Sequence, residues 1–146
     1  MKLFRILLHG VVLLLANFTG IFAGFMAYNL MKPANQISVQ VPVAAALSVL
    51  LFVTWSIFVQ AFPSKKLVLQ GPSEFAWVFL AALVWNPVIF VPVHYVTQGY
   101  LTAPGNIVAS MAFQLPVNAI TLALTCAITR KWVRLAGEGD TPQPCR

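Results

Sequence analysis

Four long apolar stretches, separated by short polar segments, divide the chain. They cover residues 6–31, 41–62, 75–96 and 106–128, and charged residues, proline or glycine bound each of them. Each stretch holds at least 22 residues, and a helix of that length, rising ~1.5 Å per residue, spans about 33 Å. The hydrocarbon core of a bilayer is about 30 Å thick, and every backbone polar group inside it needs an internal partner. The pattern therefore predicts an all-α integral membrane bundle of four transmembrane helices forming a single domain.

The composition supports a protein embedded in a lipid bilayer and argues against other classes. Hydrophobic residues make up 60% of the 146 positions and charged residues 8%, whereas soluble domains contain about 45–50% and about 25%. The three acidic residues are too few to help cover a water-soluble surface. The basic residues lie near the ends of the apolar stretches rather than along one stripe, which argues against nucleic acid as a partner.

The positions of the basic residues predict the orientation. One side of the membrane would hold Lys32, and the side that holds the N-terminus would hold Lys2, Arg5, Lys65, Lys66, Arg130, Lys131, Arg134 and Arg146. The positive-inside rule then places both termini in the cytoplasm (N-in/C-in) of a multi-pass protein of the plasma (inner) membrane, with residues 129–146 as a cytoplasmic basic tail. A cleaved signal peptide is the alternative. We expect retention of the first stretch, because no A-x-A cleavage site follows it and its apolar run is too long.

A short internal similarity raises the possibility of a duplicated two-helix hairpin. Residues 40–45 and 114–119 both follow the pattern Gln-x-Pro-Val-x-Ala. A duplication of this kind would give two halves in the same orientation, as in transporters with parallel repeats. Chance is the alternative, because the match is short and Pro42 lies at the edge of its stretch whereas Pro116 lies inside its own.

Amide side chains fall near the centres of three of the apolar stretches, at Asn17, Asn86 and Asn118. A central residue lies near the membrane midplane whichever way its helix runs, so we expect these three residues at one depth. An unpaired amide in hydrocarbon costs several kcal/mol, so they should face the bundle interior. Two interpretations stay open: contacts that only hold helices together, or a polar site between the helices.

The fourth stretch carries polar residues at helical spacing, which we call the polar stripe: Asn106, Ser110, Gln114, Asn118, Thr121, Thr125 and Thr129. At 100° per residue these positions occupy an arc of roughly 140°. Alanines lie across the helix from this arc, and small residues let helices approach closely. We therefore expect the fourth helix at the centre of the bundle, with little lipid contact.

A second set of small residues predicts a contact surface on the first stretch: Ala16, Gly20, Gly24 and Ala27. Small residues at this spacing favour close helix packing. We expect this surface to contact the fourth helix, a second copy of the chain in a homo-oligomer, or a partner membrane subunit.

Prolines in the third and fourth stretches predict kinked helices. Pro87 and Pro92 in the third stretch and Pro116 in the fourth each remove a backbone donor, so both helices should be kinked. Ser73 is the expected N-cap of the third helix.

At the outer side, His94 and Asn106 could line an entrance; the alternative for His94 is a hydrogen bond to the backbone of a loop.

The chemistry required for catalysis is missing from the sequence. We find no CxxC pair, glycine-rich phosphate loop or nucleophile elbow, and His9 and His94 would lie on opposite sides of the membrane. We therefore expect no enzymatic activity, cofactor or metal. The sequence predicts a small transporter or pore subunit for a polar solute or ion, and the alternative is a non-catalytic accessory or scaffold subunit of a larger membrane complex. The predicted pathway residues are Asn17, Asn86, His94, Asn106, Gln114 and Asn118.

Overall fold

A computed structural model describes residues 2–61 and 67–136 of the chain, which form four α-helices. These are α1 (Lys2–Met31), α2 (Ile37–Ala61), α3 (Pro72–Gln98) and α4 (Pro104–Ala136). Each is long and apolar enough to cross a bilayer, which confirms the all-helical fold and indicates a multi-pass membrane protein. The Lys65–Lys66 pair and residues 137–146 of the expected tail lie outside the described residues.

The helices begin two to four residues earlier than the apolar stretches because polar residues and proline start them. At α2, the Asn35 side chain accepts a hydrogen bond from the backbone N–H of Ile37 at 3.0 Å. Helix α3 starts with Pro72 at its first position, where the missing N–H is not needed. The predicted Ser73 cap is wrong: α3 has no side-chain cap, and its N-cap residue is Gly71, whose φ is 88°.

Residues with a left-handed backbone close the C-terminal ends of α1 and α3. Lys32 adopts a left-handed backbone, with φ 43°, and donates its N–H to the carbonyl of Tyr28, which closes α1. Gly99 closes α3 in the same way, with φ 76° and a hydrogen bond of 2.9 Å to the carbonyl of Tyr95. Helix α4 continues eight residues beyond the expected end of its apolar stretch.

The four helices form a closed ring in the order α2, α1, α3, α4. The contact between α1 and α2 is the most extensive, that between α3 and α4 is the smallest between neighbours, and α1 meets α4 at few points across the diagonal. Helix α1 is the most buried: 44% of an 18-residue apolar segment of α1 is buried inside the bundle, against 28% of the corresponding segment of α4. The prediction that the fourth helix occupies the centre is therefore wrong.

The two surfaces of small residues have opposite environments. Ala16, Gly20 and Gly24 on α1 are buried, and a Cβ added at Gly20 would meet the carbonyl oxygen of Ala44 on α2. A Cβ at Gly24 would lie 2.7 Å from the carbonyl oxygen of Gln40. The α1 surface therefore packs on α2 within one chain, not on α4. The alanines on α4 are exposed instead: Ala109, Ala112, Ala119, Ala123 and Ala127.

The apolar core lies toward one end of the ring. We call this the Arg5 end, where α1 and α3 begin and α2 and α4 end; at the opposite end, the 99–103 end, residues 99–103 connect α3 to α4. Phe52 and Val78 are fully buried in the core cluster, and Trp55, Phe75 and Phe79 pack against it. Its other members are Ile6, Leu13, Leu69, Ala81, Ala82 and Leu122.

Candidate functional site

The polar stripe becomes progressively more buried from the 99–103 end to the Arg5 end. Asn106 is exposed and Ser110 is half-buried. From the fourth turn of the helix onward, the stripe is closed off: Gln114, Asn118, Thr121 and Thr125 are fully buried, and Thr129 is 2% exposed. Ser110 and Thr129 are 19 positions apart, which is about 29 Å of helix and nearly the thickness of a hydrocarbon core.

Asn17 and Asn118 meet across the diagonal of the ring. Asn17 on α1 donates a hydrogen bond from Nδ2 to Oδ1 of Asn118 on α4, and both side chains are fully buried. Next to them, the hydroxyl of Ser48 on α2 donates to the backbone carbonyl of Ala16 at 3.2 Å. Polar contacts therefore join α1 to both α2 and α4.

Asn86 on α3 contacts a different part of the polar stripe. Its Nδ2 donates to Oγ of Ser110 on α4 at 3.2 Å, and the Asn86 side chain is fully buried. Ser110 lies eight positions before Asn118, which is about 12 Å along α4. The structure therefore turns all three asparagines inward and brings Asn17 and Asn118 together, but Asn86 contacts α4 about 12 Å away, so the prediction that the three lie at one depth is wrong. The Asn17–Asn118 contact and the Asn86 contact lie one helical turn to either side of Gln114.

Gln114 lies between these two contacts with its amide unpaired. Its Nε2 and Oε1 atoms are both buried and have no hydrogen-bond partner among the described residues. The same holds for the hydroxyls of Thr121 and Thr125 farther along α4. Asn17 Oδ1, Asn118 Nδ2 and Asn86 Oδ1, the second polar atoms of the paired amides, are also buried without a partner in the described part of the chain.

The two outer candidates lie apart from this buried group. The Nδ1 atom of His94 lies within hydrogen-bond distance, 3.2 Å, of the backbone carbonyl oxygen of Tyr100. The imidazole ring also contacts the rings of Tyr100 and Phe90. The exposed Asn106 donates its backbone N–H to the carbonyl of Ala103 in the first turn of α4. His94 thus contacts the connecting loop, which is the alternative that the sequence offered for it.

The Arg5 end contains a group of charged and polar residues that the sequence analysis did not identify as a site. Arg5 on α1 donates from Nη2 to Oε1 of Glu74 on α3, and both side chains are buried. The second oxygen of Glu74 accepts the backbone N–H of Gln70 at 2.7 Å. His9, one turn after Arg5, is 1% exposed. Both charges lie in the first turns of helices that start on the same side, a signal from which the ion pair could have been predicted.

Two cavities lie near the Arg5 end. An open apolar cleft of about 470 Å³ runs between α3 and α4, against Phe75, Phe79 and Leu122. A small cavity of about 20 Å³ is lined by the polar residues His9, Ser56, Gln60 and Thr129. Neither cavity is lined by the three asparagines. Within residues 2–61 and 67–136, no three His, Cys, Asp or Glu side chains are grouped to hold a metal ion.

Comparison with known proteins assigns no relative to this arrangement. The chain matches no protein-family model, no curated protein and no solved structure.

Proposed function

We propose that the protein is a non-enzymatic membrane transporter or pore subunit that passes a small, uncharged polar solute along the polar stripe of α4. The observation that carries the proposal is the state of Gln114, whose two amide atoms are buried without a partner among the described residues. Buried polar groups in native proteins are almost always hydrogen-bonded to protein or to water. A bound polar solute would supply these hydrogen bonds.

Helix packing alone explains only some of the buried polar side chains. The Asn17–Asn118 and Asn86–Ser110 hydrogen bonds join helices, and contacts of this kind stabilise membrane bundles by ~0.6 kcal/mol on average. An unsatisfied polar group in hydrocarbon costs several kcal/mol. Unpaired groups at Gln114, Thr121 and Thr125 would therefore outweigh the stabilisation from both contacts, unless a solute or water hydrogen-bonds to them.

The chemistry of the unpaired atoms favours an uncharged solute. Gln114 Nε2 and Asn118 Nδ2 are donors, Gln114 Oε1 and Asn17 Oδ1 are acceptors, and threonine hydroxyls act as both. From Gln114 to Thr125 the polar stripe carries no charged side chain. An ion would have no counter-charge there, and burial of an uncompensated charge is far more costly than burial of a paired dipole. A small molecule with both donors and acceptors matches these unpaired atoms chemically.

The orientation is part of the proposal. The distribution of basic residues supports a cytoplasmic Arg5 end in a plasma (inner) membrane, with the 99–103 end facing outward. The solute would then enter beside the exposed Asn106 and the half-buried Ser110, and His94 would lie near this outer mouth. Association with a second copy or a partner subunit stays a prediction, and the α1 surface expected to mediate it is occupied by α2.

The test is solute permeability of liposomes that contain the purified protein. After an osmotic step with urea or glycerol, light scattering should report faster solute entry than in protein-free liposomes. Gln114→Leu should abolish the excess rate because it removes both polar atoms from the middle of the path. The same variant should unfold no more readily than the original chain, since it also removes two unpaired buried groups.

The matched control is Leu115→Ala, which changes the neighbouring, lipid-facing position on the same helix. It should leave the excess rate unchanged. Equal urea and glycerol entry with and without protein would contradict the proposal, and so would K⁺ entry without entry of either uncharged solute.

An accessory or scaffold subunit is the second candidate, and the two interhelical amide contacts favour it. In that case no excess permeability exists for Gln114→Leu to remove. Asn118→Ala would still lower the stability in detergent because it breaks the contact between α1 and α4.

A further inference from the structure

The small cavity at the Arg5 end is the point where all four helices meet. Its polar lining comes from His9 on α1, Ser56 and Gln60 on α2, and Thr129 on α4, and Phe75 of α3 closes it. The cavity holds about 20 Å³, and a single water needs roughly 10–15 Å³ and two to four polar partners. One water molecule therefore fits the cavity and finds enough partners.

The hydrogen bonds around His9 leave one ring nitrogen for exchange with this water. Nδ1 lies 2.8 Å from the backbone carbonyl of Arg5. A carbonyl can only accept, so Nδ1 carries a proton and Nε2 is the atom that gains or loses one. The rings of Phe52 and Trp55 meet the imidazole edge-on, with centroids 6.3 Å and 6.0 Å away, and hold its plane.

The cavity also connects the polar stripe to the surface. Thr129 is the last residue of the polar stripe, and its hydroxyl donates to the backbone carbonyl of Thr125 at 2.8 Å, which leaves its oxygen free to accept from a water. On the other side, Gln60 is half-buried and the next residue, Ala61, is exposed. The cavity therefore lies close to the exposed end of α2, and we expect a proton to enter from that side.

We propose that His9 and one water in this cavity form a proton-binding site at the Arg5 end of the polar stripe. A hydronium ion in the aqueous phase transfers a proton to the cavity water, and this water passes a proton to His9 Nε2. The histidine becomes an imidazolium, the hydronium becomes water, and the Nδ1–H bond to Arg5 is unchanged. The binding site rests on the cavity geometry alone; its effect on transport rests on the proposed function.

Binding of a proton changes the charge balance beside the ion pair that joins α1 to α3. The described charged groups that face His9 are Arg5 on its own helix and Glu74 on α3, while α2 and α4 contribute the uncharged Ser56, Gln60 and Thr129. A protonated His9 places a second positive charge one turn from Arg5, and both then compete for Glu74. The contact between α1 and α3 weakens, and the closed end of the polar stripe opens to water.

The proton site is tested by nuclear magnetic resonance on the full chain in lipid nanodiscs. His94→Gln leaves His9 as the single histidine, and ¹⁵N labelling then reports both of its ring nitrogens. Between about pH 8 and about pH 4, a range wide enough for a histidine whose charged form is disfavoured by burial, the Nε2 resonance should shift and Nδ1 should stay protonated. A cross-peak from water to His9 should be present. A Nε2 resonance that is constant through this range overturns the proposal.

Thr129→Val tests the water without removing the histidine. It replaces one hydroxyl that lines the cavity by a methyl group of similar size, so the water cross-peak to His9 should be lost. Thr54→Val is the control: Thr54 is an exposed threonine on α2 whose hydroxyl, among the described residues, donates to the carbonyl of Leu50 in its own helix. Retention of the cross-peak in Thr129→Val, or its loss in Thr54→Val, contradicts the assignment of the water to this cavity.

Permeability measurements separate this proposal from the proposed function. Urea or glycerol entry should rise as the pH falls in the original chain and should be independent of pH in His9→Gln. Titration of His9 without excess permeability at any pH would refute the transport function and leave the proton site intact. Permeability that does not change with pH would refute the opening of the Arg5 end.

Discussion

The two ends of the helix ring are built in opposite ways. At the Arg5 end, a core of aromatic and aliphatic side chains surrounds a buried ion pair and a buried histidine. At the 99–103 end, the last turns of α3 and the first turns of α4 are exposed, with Val96 81% and Val108 65% accessible. There α1 and α2 pack closely through Gly20 and Gly24, and Asn86 joins α3 to α4 by its hydrogen bond to Ser110.

The contrast separates the part of the bundle that packs tightly from the part in which the polar stripe is exposed. At the Arg5 end, close side-chain packing and the ion pair hold the helices together, since lipid tails are as apolar as these side chains and van der Waals packing and polar contacts drive helix association in a bilayer. The 99–103 end leaves α3 and α4 with the smallest neighbour contact, beside the exposed start of the polar stripe. The polar stripe is therefore buried at the Arg5 end and exposed at the 99–103 end.

The largest expected effect is at the ion pair. Glu74→Gln leaves the charge of Arg5 buried without its carboxylate, and removal of one member of a buried pair destabilises proteins by about 3–5 kcal/mol. The measurement is the free energy of unfolding by SDS in mixed micelles. Ser73→Ala, the exposed neighbour in the same first turn, should change it by less than about 0.5 kcal/mol.

A double replacement separates the charge from the packing at this end. Arg5→Met with Glu74→Leu removes both charges, so most of the lost stability should return, as for other buried pairs replaced by apolar residues. If Glu74→Gln unfolds at the same SDS fraction as the original chain, the Arg5 end is not held by the ion pair.

The sequence was sufficient to predict the helices and the burial of the amides. A run of more than 20 apolar residues has few alternatives to a membrane helix, and an amide within such a helix, like that of Asn86, has to face inward because its desolvation is costly. Hydropathy and desolvation are properties of single residues and short segments. They can be evaluated without knowing which helices are neighbours.

Helix neighbours could not be predicted in this way. The small-residue surfaces of α1 and α4 have the same spacing, yet Gly20 meets α2 and Ala119 is exposed. The difference depends on how the whole ring closes, which no single helix encodes. The Arg5–Glu74 pair was missed for a related reason: charged residues at helix ends commonly reach into the interfacial region, and burial follows only when two of them face each other.

The next effect tests the close contact between α1 and α2 in the 99–103 half. Gly20→Ala places a Cβ against the carbonyl oxygen of Ala44, and overpacking of this kind destabilises by typically 1–3 kcal/mol. Gly105→Ala is the matched control because a Cβ there meets nothing within 4 Å. Its unfolding free energy should be unchanged or higher by up to about 1 kcal/mol, since alanine favours the helix. Equal loss in both variants would show that α1 and α2 do not approach closely at Gly20.

The smallest expected effects are the coupling energies of the two amide contacts on either side of Gln114. A double-mutant cycle on Asn86 and Ser110, with alanine at each, should give a coupling of ~0.6 kcal/mol, the average for interhelical hydrogen bonds in membranes. Ser110 is half-buried, so water can replace the lost partner. The same cycle on Asn17 and Asn118, which are both fully buried, should approach the upper limit of about 1.7 kcal/mol. A larger coupling for Asn86–Ser110 than for Asn17–Asn118 would contradict the assignment of the 99–103 end as the accessible one, because the better-hydrated contact must be the weaker.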